Sequence, residues 1–360
     1  MKGLVCLLAL TLLAAISQPA AGQVLAPPGL VAWWQAEGDA NDAVGGNHGV
    51  LLGGASFAPG VVGQAFRLDG VDGWVSLANT ATMDFGTGDF TIELWMNLDS
   101  VARLQDVVLK VCCGFYPSHR LYLIEVDAGT LRFLVRDTAS NENDLILPAS
   151  LMPGVWHHVA AIREGDTSRL YLDGLLLGEQ TAGTAVDTGS DGTASFGRQA
   201  PSHPCCPTDT RQFGGSLDEI SLYQRALTSQ EIQQIAAAGS AGKVLAIPVE
   251  IDIKPGSFPN SINLGSNGTV PVAVMTSASF DATTIDPTTV SLSGAAVKLK
   301  GRGTPMTSME DVNGDGLWDV VVHVSTDALQ LSGTDIEAVL TGWTLSGIPV
   351  RGTDSARIVP

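Results

Sequence analysis

The chain has few basic residues. It carries 19 lysines and arginines against 37 aspartates and glutamates, so its formal net charge at pH 7 is −18. Such an excess of negative charge repels nucleic acid phosphates and anionic membrane surfaces. The composition therefore argues against nucleic acid and membrane partners and suits a solvated protein with sites for cations.

Beyond its first 22 residues the sequence has no apolar run long enough to cross a bilayer. Residues 1–22 have the features of a secretory signal: Lys2 at the charged start, an apolar core from Leu4 to Ile16, and a small-residue cleavage site at Ala20-Ala21-Gly22. The apolar core is too short to span a membrane. We therefore predict an exported protein without a membrane span, either extracellular or periplasmic.

Cysteine is scarce as well. Removal of Cys6 with the signal leaves two adjacent pairs, Cys112-Cys113 and Cys205-Cys206, and four cysteines allow three connectivities. A bond within an adjacent pair closes a strained small ring, so we predict two disulfides across the pairs. The alternative is a four-cysteine zinc site with His119 or His203 close by, although an oxidising compartment favours disulfides.

Catalytic signatures are missing. Glycoside hydrolases place an acid and a nucleophile on one face of a strand through alternating carboxylates, and no strand-like segment here has that spacing. Asp218 and Glu219 are adjacent, so on a strand they point to opposite faces, and the same holds for His157 and His158. Nucleophile elbows, zinc-binding helices and phosphate loops are also absent from the sequence, and we predict a protein without catalysis.

Short alternating strands separated by Gly, Asp and Asn fill the sequence from Val31 to about Ala238. Phe90, Ile92, Leu94 and Met96, for example, fall on one face of a strand. This spacing is typical of an all-β sandwich.

A single helix is predicted after these strands, beginning at a capping box from Thr228 to Glu231 and ending at Gly239. Pro- and Gly-punctuated strands resume near Val244 and include predicted strands at 297–300 and 320–324. The domain prediction is a signal at 1–22, a first β-sandwich at 23–239, a linker at 240–246 and a smaller second β-sandwich at 247–360.

The segment Asp311-Val-Asn-Gly-Asp-Gly-Leu-Trp-Asp319 has the spacing of a Ca²⁺ loop. Hard oxygen ligands come from Asp311, Asn313, Asp315 and Asp319, Leu317 can add its backbone carbonyl, and the glycine at position 316 permits a sharp turn. The β-branched residues that follow predict a strand, so the loop resembles those of integrin-type FG-GAP repeats more than a helical Ca²⁺ hand. The alternative is an Asp- and Gly-rich turn without metal.

Several motifs of the first domain occur together and in order. They are Leu30-Val-Ala-Trp-Trp34, Phe66-Arg-Leu-Asp-Gly-Val-Asp-Gly-Trp-Val75, Phe90-Thr-Ile-Glu-Leu-Trp95, Trp156-His-His-Val-Ala160, Leu170-Tyr-Leu-Asp-Gly174 and Phe213-Gly-Gly-Ser-Leu-Asp-Glu-Ile-Ser-Leu-Tyr-Gln-Arg-Ala-Leu227. In combination they resemble the laminin G-like members of the concanavalin A-like jelly-roll superfamily. The second domain is similar to a β-module found at the C-termini of secreted bacterial proteins, through Ile251-Asp-Ile-Lys-Pro-Gly256, Pro259-Asn-Ser-Ile-Asn263 and the Ca²⁺ loop.

The laminin G-like resemblance implies a two-sheet fold that binds glycans or proteins on its curved faces and rim loops. It also implies a second Ca²⁺ site where the N-terminal segment meets the last strands, with Asp42 and Asp218 as candidates; the alternative is that Asp218 caps or pairs locally. The doubled cysteines depart from the family pattern, so the ligand cannot be carried over.

Aromatic residues supply a further candidate site. Trp33, Trp34 and Trp95 lie in apolar segments that are predicted as strands, so we expect their side chains in the core. Phe115, Tyr116 and His119 follow the first cysteine pair and form a candidate ligand-binding loop; the alternative is that they only cover the disulfides. We thus expect a secreted binding or adhesion protein for extracellular glycan or a surface protein. The alternatives are a structural accessory protein and an unrecognised polysaccharide hydrolase.

Overall fold

A computed structural model describes residues 22–77, 80–111, 121–137, 139, 141–189, 192–198 and 211–359. The chain divides into two compact units between Lys243 and Val244, and each unit is described by itself. Within the described ranges, no helix is both long enough and apolar enough to cross a membrane.

The first unit is built from antiparallel strands. They are β1 (Val24–Leu25), β2 (Leu30–Trp34), β3 (Gly49–Leu52), β4 (Ser56–Pro59), β5 (Gln64–Asp69), β6 (Trp74–Leu77), β7 (Phe90–Leu98), β8 (Gln105–Val111), β9 (Leu121–Asp127), β10 (Thr130–Arg136), β11 (Glu142–Pro148), β12 (Trp156–Glu164), β13 (Thr167–Leu172), β14 (Leu175–Thr181), β15 (Thr193–Phe196) and β16 (Gly214–Tyr223), with β17 (Lys243–Val244) at the boundary. Short 3-10 helices span Ala81–Met83 and Gly239–Ala241.

These strands form two large sheets. One has the order β11-β10-β9-β8-β15-β6-β3, and the other has the order β14-β13-β12-β7-β16-β5-β4, with β2 also paired to β16. Buried side chains from both sheets make the main core, including Trp34, Phe66, Leu94, Tyr122, Phe133, Phe196 and Phe213. The predicted all-β sandwich is confirmed.

Strand β7 shows how the sequence pattern produces the two faces. Phe90, Ile92 and Leu94 enter the main core, as the alternation predicts. Glu93 and Trp95 point to the opposite face of the sheet because side chains alternate along a strand. Strand β7 thus includes the whole alternating segment from Phe90 to Met96.

Helix α1 (Ser229–Ala238) begins at the predicted capping box, in which Thr228 and Glu231 each bond the other's backbone amide. Ile232 and Ile235 pack with Tyr171 and Tyr223 of β13 and β16. A satisfied N-terminus and one apolar stripe therefore fix the helix on the outer side of the eight-stranded sheet.

The second unit is a smaller β-sandwich. Its strands are β18 (Ile247–Pro248), β19 (Ile251–Ile253), β20 (Ser261–Asn263), β21 (Thr269–Val274), β22 (Ile285–Leu292), β23 (Ala295–Ala296), β24 (Thr307–Glu310), β25 (Asp319–Ser325), β26 (Glu337–Thr344), β27 (Pro349–Ser355) and β28 (Arg357–Val359), with 3-10 helices at Ala282–Thr284, Gly301–Gly303 and Thr326–Ala328. The sheets have the orders β18-β27-β26-β22-β23 and β19-β21-β25-β24, and a third sheet pairs β20 with β28.

One predicted strand differs from the structure. The segment 297–300 forms only two isolated bridges, from Val297 to Val324 and from Leu299 to Pro305, and Lys298, Leu299 and Lys300 are exposed. Within the predicted linker at 240–246, Lys243 is buried and Lys243–Val244 forms a strand.

Candidate functional site

The predicted Ca²⁺ loop connects β24 to β25 and is organised by its own backbone amides. Asp311 accepts hydrogen bonds from the amides of Gly314 at 2.8 Å and Gly316 at 3.0 Å. Both glycines have positive φ, 77° and 86°, a conformation that costs an L-residue energy but is open to glycine. The loop therefore has the sharp turns that its sequence predicts.

Asn313 and Asp315 lie close together in this loop and are exposed. The Asn313 side chain donates to Asp315 Oδ2 at 3.0 Å, and the Asp315 amide donates back to Asn313 Oδ1 at 3.0 Å. The amide of Leu317 donates to Asp315 Oδ1 at 2.8 Å. The side-chain oxygens of three predicted ligands, Asp311, Asn313 and Asp315, therefore belong to one short exposed loop.

Asp319 has a different environment because its side chain is fully buried. Its two carboxylate oxygens accept hydrogen bonds from the amides of Thr276 at 2.8 Å and Val312 at 2.9 Å. A carboxylate oxygen that accepts one N–H keeps a second lone pair, so these bonds leave coordination open. In the described ranges no three His, Cys, Asp or Glu side chains form a group that could hold a metal ion. Calcium here would depend on Asn313 and the Leu317 carbonyl too, and it stays a prediction.

Asp42, a candidate for the second metal site, organises a turn. It accepts hydrogen bonds from the amides of Trp33, Val44 and Asn47 and from the Asn47 side chain at 2.6–3.0 Å. Burial by itself would raise the pKa of Asp42, but these backbone amides hold the pKa below its ordinary value.

Asp218, the other candidate, is fully buried on β16. Its Oδ2 accepts hydrogen bonds from the amides of Val61 at 2.8 Å and Val62 at 3.0 Å, whereas Oδ1 has no partner among the described residues. Burial raises the pKa of Asp218 to about 7, against the opposing effect of the Val62 amide. Asp42 and Asp218 thus accept hydrogen bonds from the backbone of different loops. A metal site formed by both carboxylates remains a prediction.

Cys112, Cys113, Cys205 and Cys206 lie outside the described residues, as do the predicted ligand-binding residues Phe115, Tyr116 and His119. The anchors of these segments are described. Residues 112–120 connect the neighbouring strands β8 and β9, and residues 199–210 are followed by Arg211, whose carbonyl accepts the Asp106 amide at 2.8 Å. On β8, Val111 precedes the first segment and Asp106 bonds the residue that follows the second. At about 3.3 Å per residue, these two positions are roughly 16 Å apart. Bonds across the cysteine pairs remain a prediction.

Two motifs of the first domain meet at the hairpin between β13 and β14. Asp173 Oδ2 lies 2.9 Å from His157 Nδ1, and Asp173 Oδ1 accepts the amide of His158 at 2.9 Å. Asp173 and Gly174 form the turn with positive φ values of 50° and 80°. The adjacent histidines therefore diverge, as predicted, and His157 fixes the turn.

A cavity of about 190 Å³ lies beside this turn, between the outer face of the eight-stranded sheet and α1. Its wall includes Trp95, Asp173, Gly174, Leu175, Gln233, Ala236 and Ala237. Trp33 and Trp34 are core, as predicted, but Trp95 is partly exposed and presents its indole to this cavity. The prediction of a core Trp95 is thus wrong, because alternation along β7 places it on the face opposite the core.

A buried charge cluster on the same face was not predicted. Lys243 Nζ lies 3.0 Å from Glu93 Oε1 and 3.1 Å from Glu219 Oε2, and Glu93 Oε2 lies 3.2 Å from His158 Nε2. Burial by itself would raise the pKa of Glu93, but Lys243 and His158 together hold the pKa below its ordinary value. The pKa of Glu219 is raised, chiefly by burial. The four side chains are almost fully buried, which closes the pair of carboxylates to a substrate.

Ion pairs also occupy the face of the seven-stranded sheet opposite the core. Arg132 bonds Glu125 at 2.7 Å and Asp144 at 2.7 Å, and Arg211 bonds Glu125 at 3.0 Å. On the same face Leu109, Leu121, Leu123 and Leu134 pack together. The convergent carboxylates of this face therefore have arginine partners.

Comparison with known families supports the fold. A laminin G family model, described as the concanavalin A-like lectin/glucanases superfamily, matches residues 69–233. This segment contains β6 to β16 and the first half of α1, so the predicted laminin G-like resemblance is confirmed for the first unit. A comparison with curated proteins found no match.

Solved structures with a similar fold include three from bacterial proteins. Domain 4 of AbnA, a GH43 extracellular arabinanase from Geobacillus stearothermophilus in complex with arabinotriose, is 19% identical with a TM-score of 0.47 and covers 57% of this chain and 98% of its own. The binding domain of Paraclostridial Mosquitocidal Protein 1 is 12% identical with a TM-score of 0.48, and the match covers 88% of this chain and 83% of that domain. The Ruminococcus gnavus IT-sialidase CBM40 bound to α2,3 sialyllactose is 18% identical with a TM-score of 0.36, covering 42% and 84%. These likenesses concern the fold alone.

Proposed function

We propose that the protein is exported and binds extracellular glycan through its first unit without catalysis, since residues 69–233 match a family model of the concanavalin A-like superfamily. The observation that carries this proposal is the cavity beside Trp95. A partly exposed indole forms one wall, a carboxylate lies at the rim, and the volume of about 190 Å³ suits a single sugar ring.

The wall chemistry fits the two sides of a sugar. The apolar C–H face of a pyranose packs on an aromatic ring, and Trp95 is held for such contact by its edge-to-face packing on His158, with ring centroids 5.3 Å apart. Asp173 is fixed by two hydrogen bonds and retains lone pairs for sugar hydroxyls. The exposed Gln233 amide adds a donor and an acceptor.

The carboxylates of the first unit support a binder over a hydrolase. A glycosidase needs two carboxyl groups that reach the glycosidic bond, one of them protonated. Glu93 and Glu219 share Lys243 and are buried, and Glu125 and Asp144 share Arg132. The pKa of Glu93 lies below its ordinary value, which keeps Glu93 from acting as a general acid, and Glu219, whose pKa is raised by burial, is too deeply buried to reach a glycosidic bond.

The glycan proposal is tested by filling the cavity. Ala237 lies on the exposed side of α1 and lines the cavity, whereas Gln234 is exposed on the same helix and does not line it. On a glycan array with the full chain, Ala237→Trp should lower glycan binding at least tenfold and Gln234→Trp should leave it unchanged. Circular dichroism should show the same fold for both variants. If both variants bind as the parent does, the cavity is not the site.

The loop that contains Phe115 and Tyr116 is the competing glycan site in the same unit. Tyr116→Ala should then weaken binding while Ala237→Trp does not. If the parent chain retains no glycan or surface protein at all, the structural accessory function is favoured.

We also propose that the loop from Asp311 to Asp319 binds one Ca²⁺ through Asp311, Asn313, Asp315, the Leu317 carbonyl and Asp319. The support is the turn that two glycines with positive φ permit, and the exposed side-chain oxygens of Asp311, Asn313 and Asp315. In this proposal the ion stabilises the second unit and takes no part in glycan binding.

A further inference from the structure

The second unit has a cavity of about 520 Å³ whose polar wall groups are mainly acceptors. The wall includes the side chains of Glu250, Asp252, Phe258, Asn260, Asn313 and Asp354. In the described part of the chain, none of the three carboxylates forms an ion pair with a lysine, arginine or histidine. The cavity therefore concentrates negative charge without a basic partner among the described residues, although Asp354 also accepts hydrogen bonds from the amides of Ile253 and Ser355.

The amide donors in the wall are already used. Asn260, only 4% exposed, donates to Asp354 Oδ2 at 2.9 Å and to the Ser355 carbonyl at 3.1 Å. Its Oδ1 has no hydrogen-bond partner in the described ranges. Asn313 donates to Asp315. A ligand that complements this wall must bring its own N–H or O–H donors.

Asp252 and Asp354 favour a positively charged ligand over a neutral one. Burial and the neighbouring charge of Asp354 both raise the pKa of Asp252, so the two carboxylates repel each other. A cation placed between them relieves this repulsion. The cavity of about 520 Å³ is much larger than a metal ion, which favours an organic cation.

The exposed ring of Phe258 selects among organic cations. Its side chain is 90% exposed, although solvent exposure of a large aromatic residue is unfavourable. A guanidinium is planar, carries five donors in a fork that matches carboxylates, and stacks on aromatic rings. An ammonium group lacks both the fork and the planar face.

We infer that this cavity binds the guanidinium group of an arginine side chain presented by a partner peptide or protein. The carboxylates of Asp252 and Asp354 receive the guanidinium donors, and the ring of Phe258 covers its face. This site lies in the second unit and is independent of glycan binding by the first. The net charge of −18 also favours the approach of a basic partner.

The test is an NMR titration of the full chain with N-acetyl-arginine amide, with N-acetyl-citrulline amide as the neutral probe of similar shape. Arginine should bind at least tenfold more tightly than citrulline. Phe258→Ala and Asp252→Asn should each weaken arginine binding at least fivefold. The matched controls Ile336→Ala, at an apolar residue that is 76% exposed, and Asp327→Asn, at an exposed acid, should leave it unchanged.

Three results would overturn the inference. The first is equal binding of the arginine and citrulline probes. The second is arginine binding that survives both cavity variants, with their folding verified by the melting temperature. The third is tighter binding of N-acetyl-lysine amide or of a glucosamine oligomer, which would assign the cavity to an ammonium group.

Discussion

Lys243 Nζ lies 3.0 Å from Glu93 Oε1, which joins the last residue of the first unit to the middle of β7. Burial lowers the pKa of Lys243, but Glu93 and Glu219 outweigh burial and raise it, so the lysine is charged at neutral pH. Because all three groups are buried, the charges depend on one another for solvation. The pair thus fixes the end of the first unit to the back of its eight-stranded sheet.

Lys243→Met should therefore lower the stability of the first unit by about 3–5 kcal/mol, since it leaves buried carboxylates without a cation. Lys298→Met, at an exposed lysine, is the matched control and should change stability by less than about 0.5 kcal/mol. Urea unfolding of the full chain measures both values. A Lys243→Met variant as stable as the control would mean that the cluster contributes nothing.

Removal of Ca²⁺ should lower the melting temperature of the second unit, because an ion that binds only the native state stabilises it by mass action. Asp315→Ala should reproduce the effect of chelator and should make the chain insensitive to it. Asp327→Ala, at an exposed acid outside the loop, is the control. Calorimetry of the full chain with and without chelator decides the matter, and an unchanged melting profile would reduce the loop to a turn.

Peptide mapping without reduction should find Cys112 and Cys113 bonded to Cys205 and Cys206. A crosslink that encloses about 90 residues stabilises a fold by up to about 4–5 kcal/mol in the chain-entropy model. Reduction should then lower the melting temperature of the first unit. Free thiols, a bound zinc ion, or bonds only within each adjacent pair would refute the prediction.

Asp218 predicts a pH dependence of stability. Its pKa is about 7 in the folded chain and 3.8 in the reference state, so the native state binds the proton more tightly. The free energy of unfolding should fall as pH rises from about 4 to about 7, by at most roughly 4 kcal/mol. Asp218→Asn retains an acceptor for Val61 and Val62 and should flatten this slope in chelator. If the slope persists in the variant, another group causes it.

Local patterns made much of the fold predictable from sequence. Strand β7 follows from strict alternation, and α1 follows from a capping box and a terminal glycine, all signals within a dozen residues. The segment 297–300 also alternates, but Leu299 is exposed as well as the lysines, so no buried face holds the segment in a sheet and only isolated bridges form.

The candidate sites were less predictable because they depend on distant residues. Trp95 meets Asp173 and α1 only through the pairing of β7, β12 and β13. Lys243 reaches Glu93 across 150 residues of chain, and no local pattern marks either residue as a partner. The acidic cavity of the second unit likewise combines Asp252 with Asp354, which the sequence places about a hundred residues apart.

The central claim is that the chain binds glycan and does not cleave it. Incubation of the full chain with a panel of extracellular polysaccharides, followed by affinity electrophoresis and chromatography of soluble sugars, measures both properties at once. The account predicts retardation by at least one polysaccharide, with a micromolar to millimolar dissociation constant and no released oligosaccharide. Release of oligosaccharides above the level of a heat-denatured sample would contradict it.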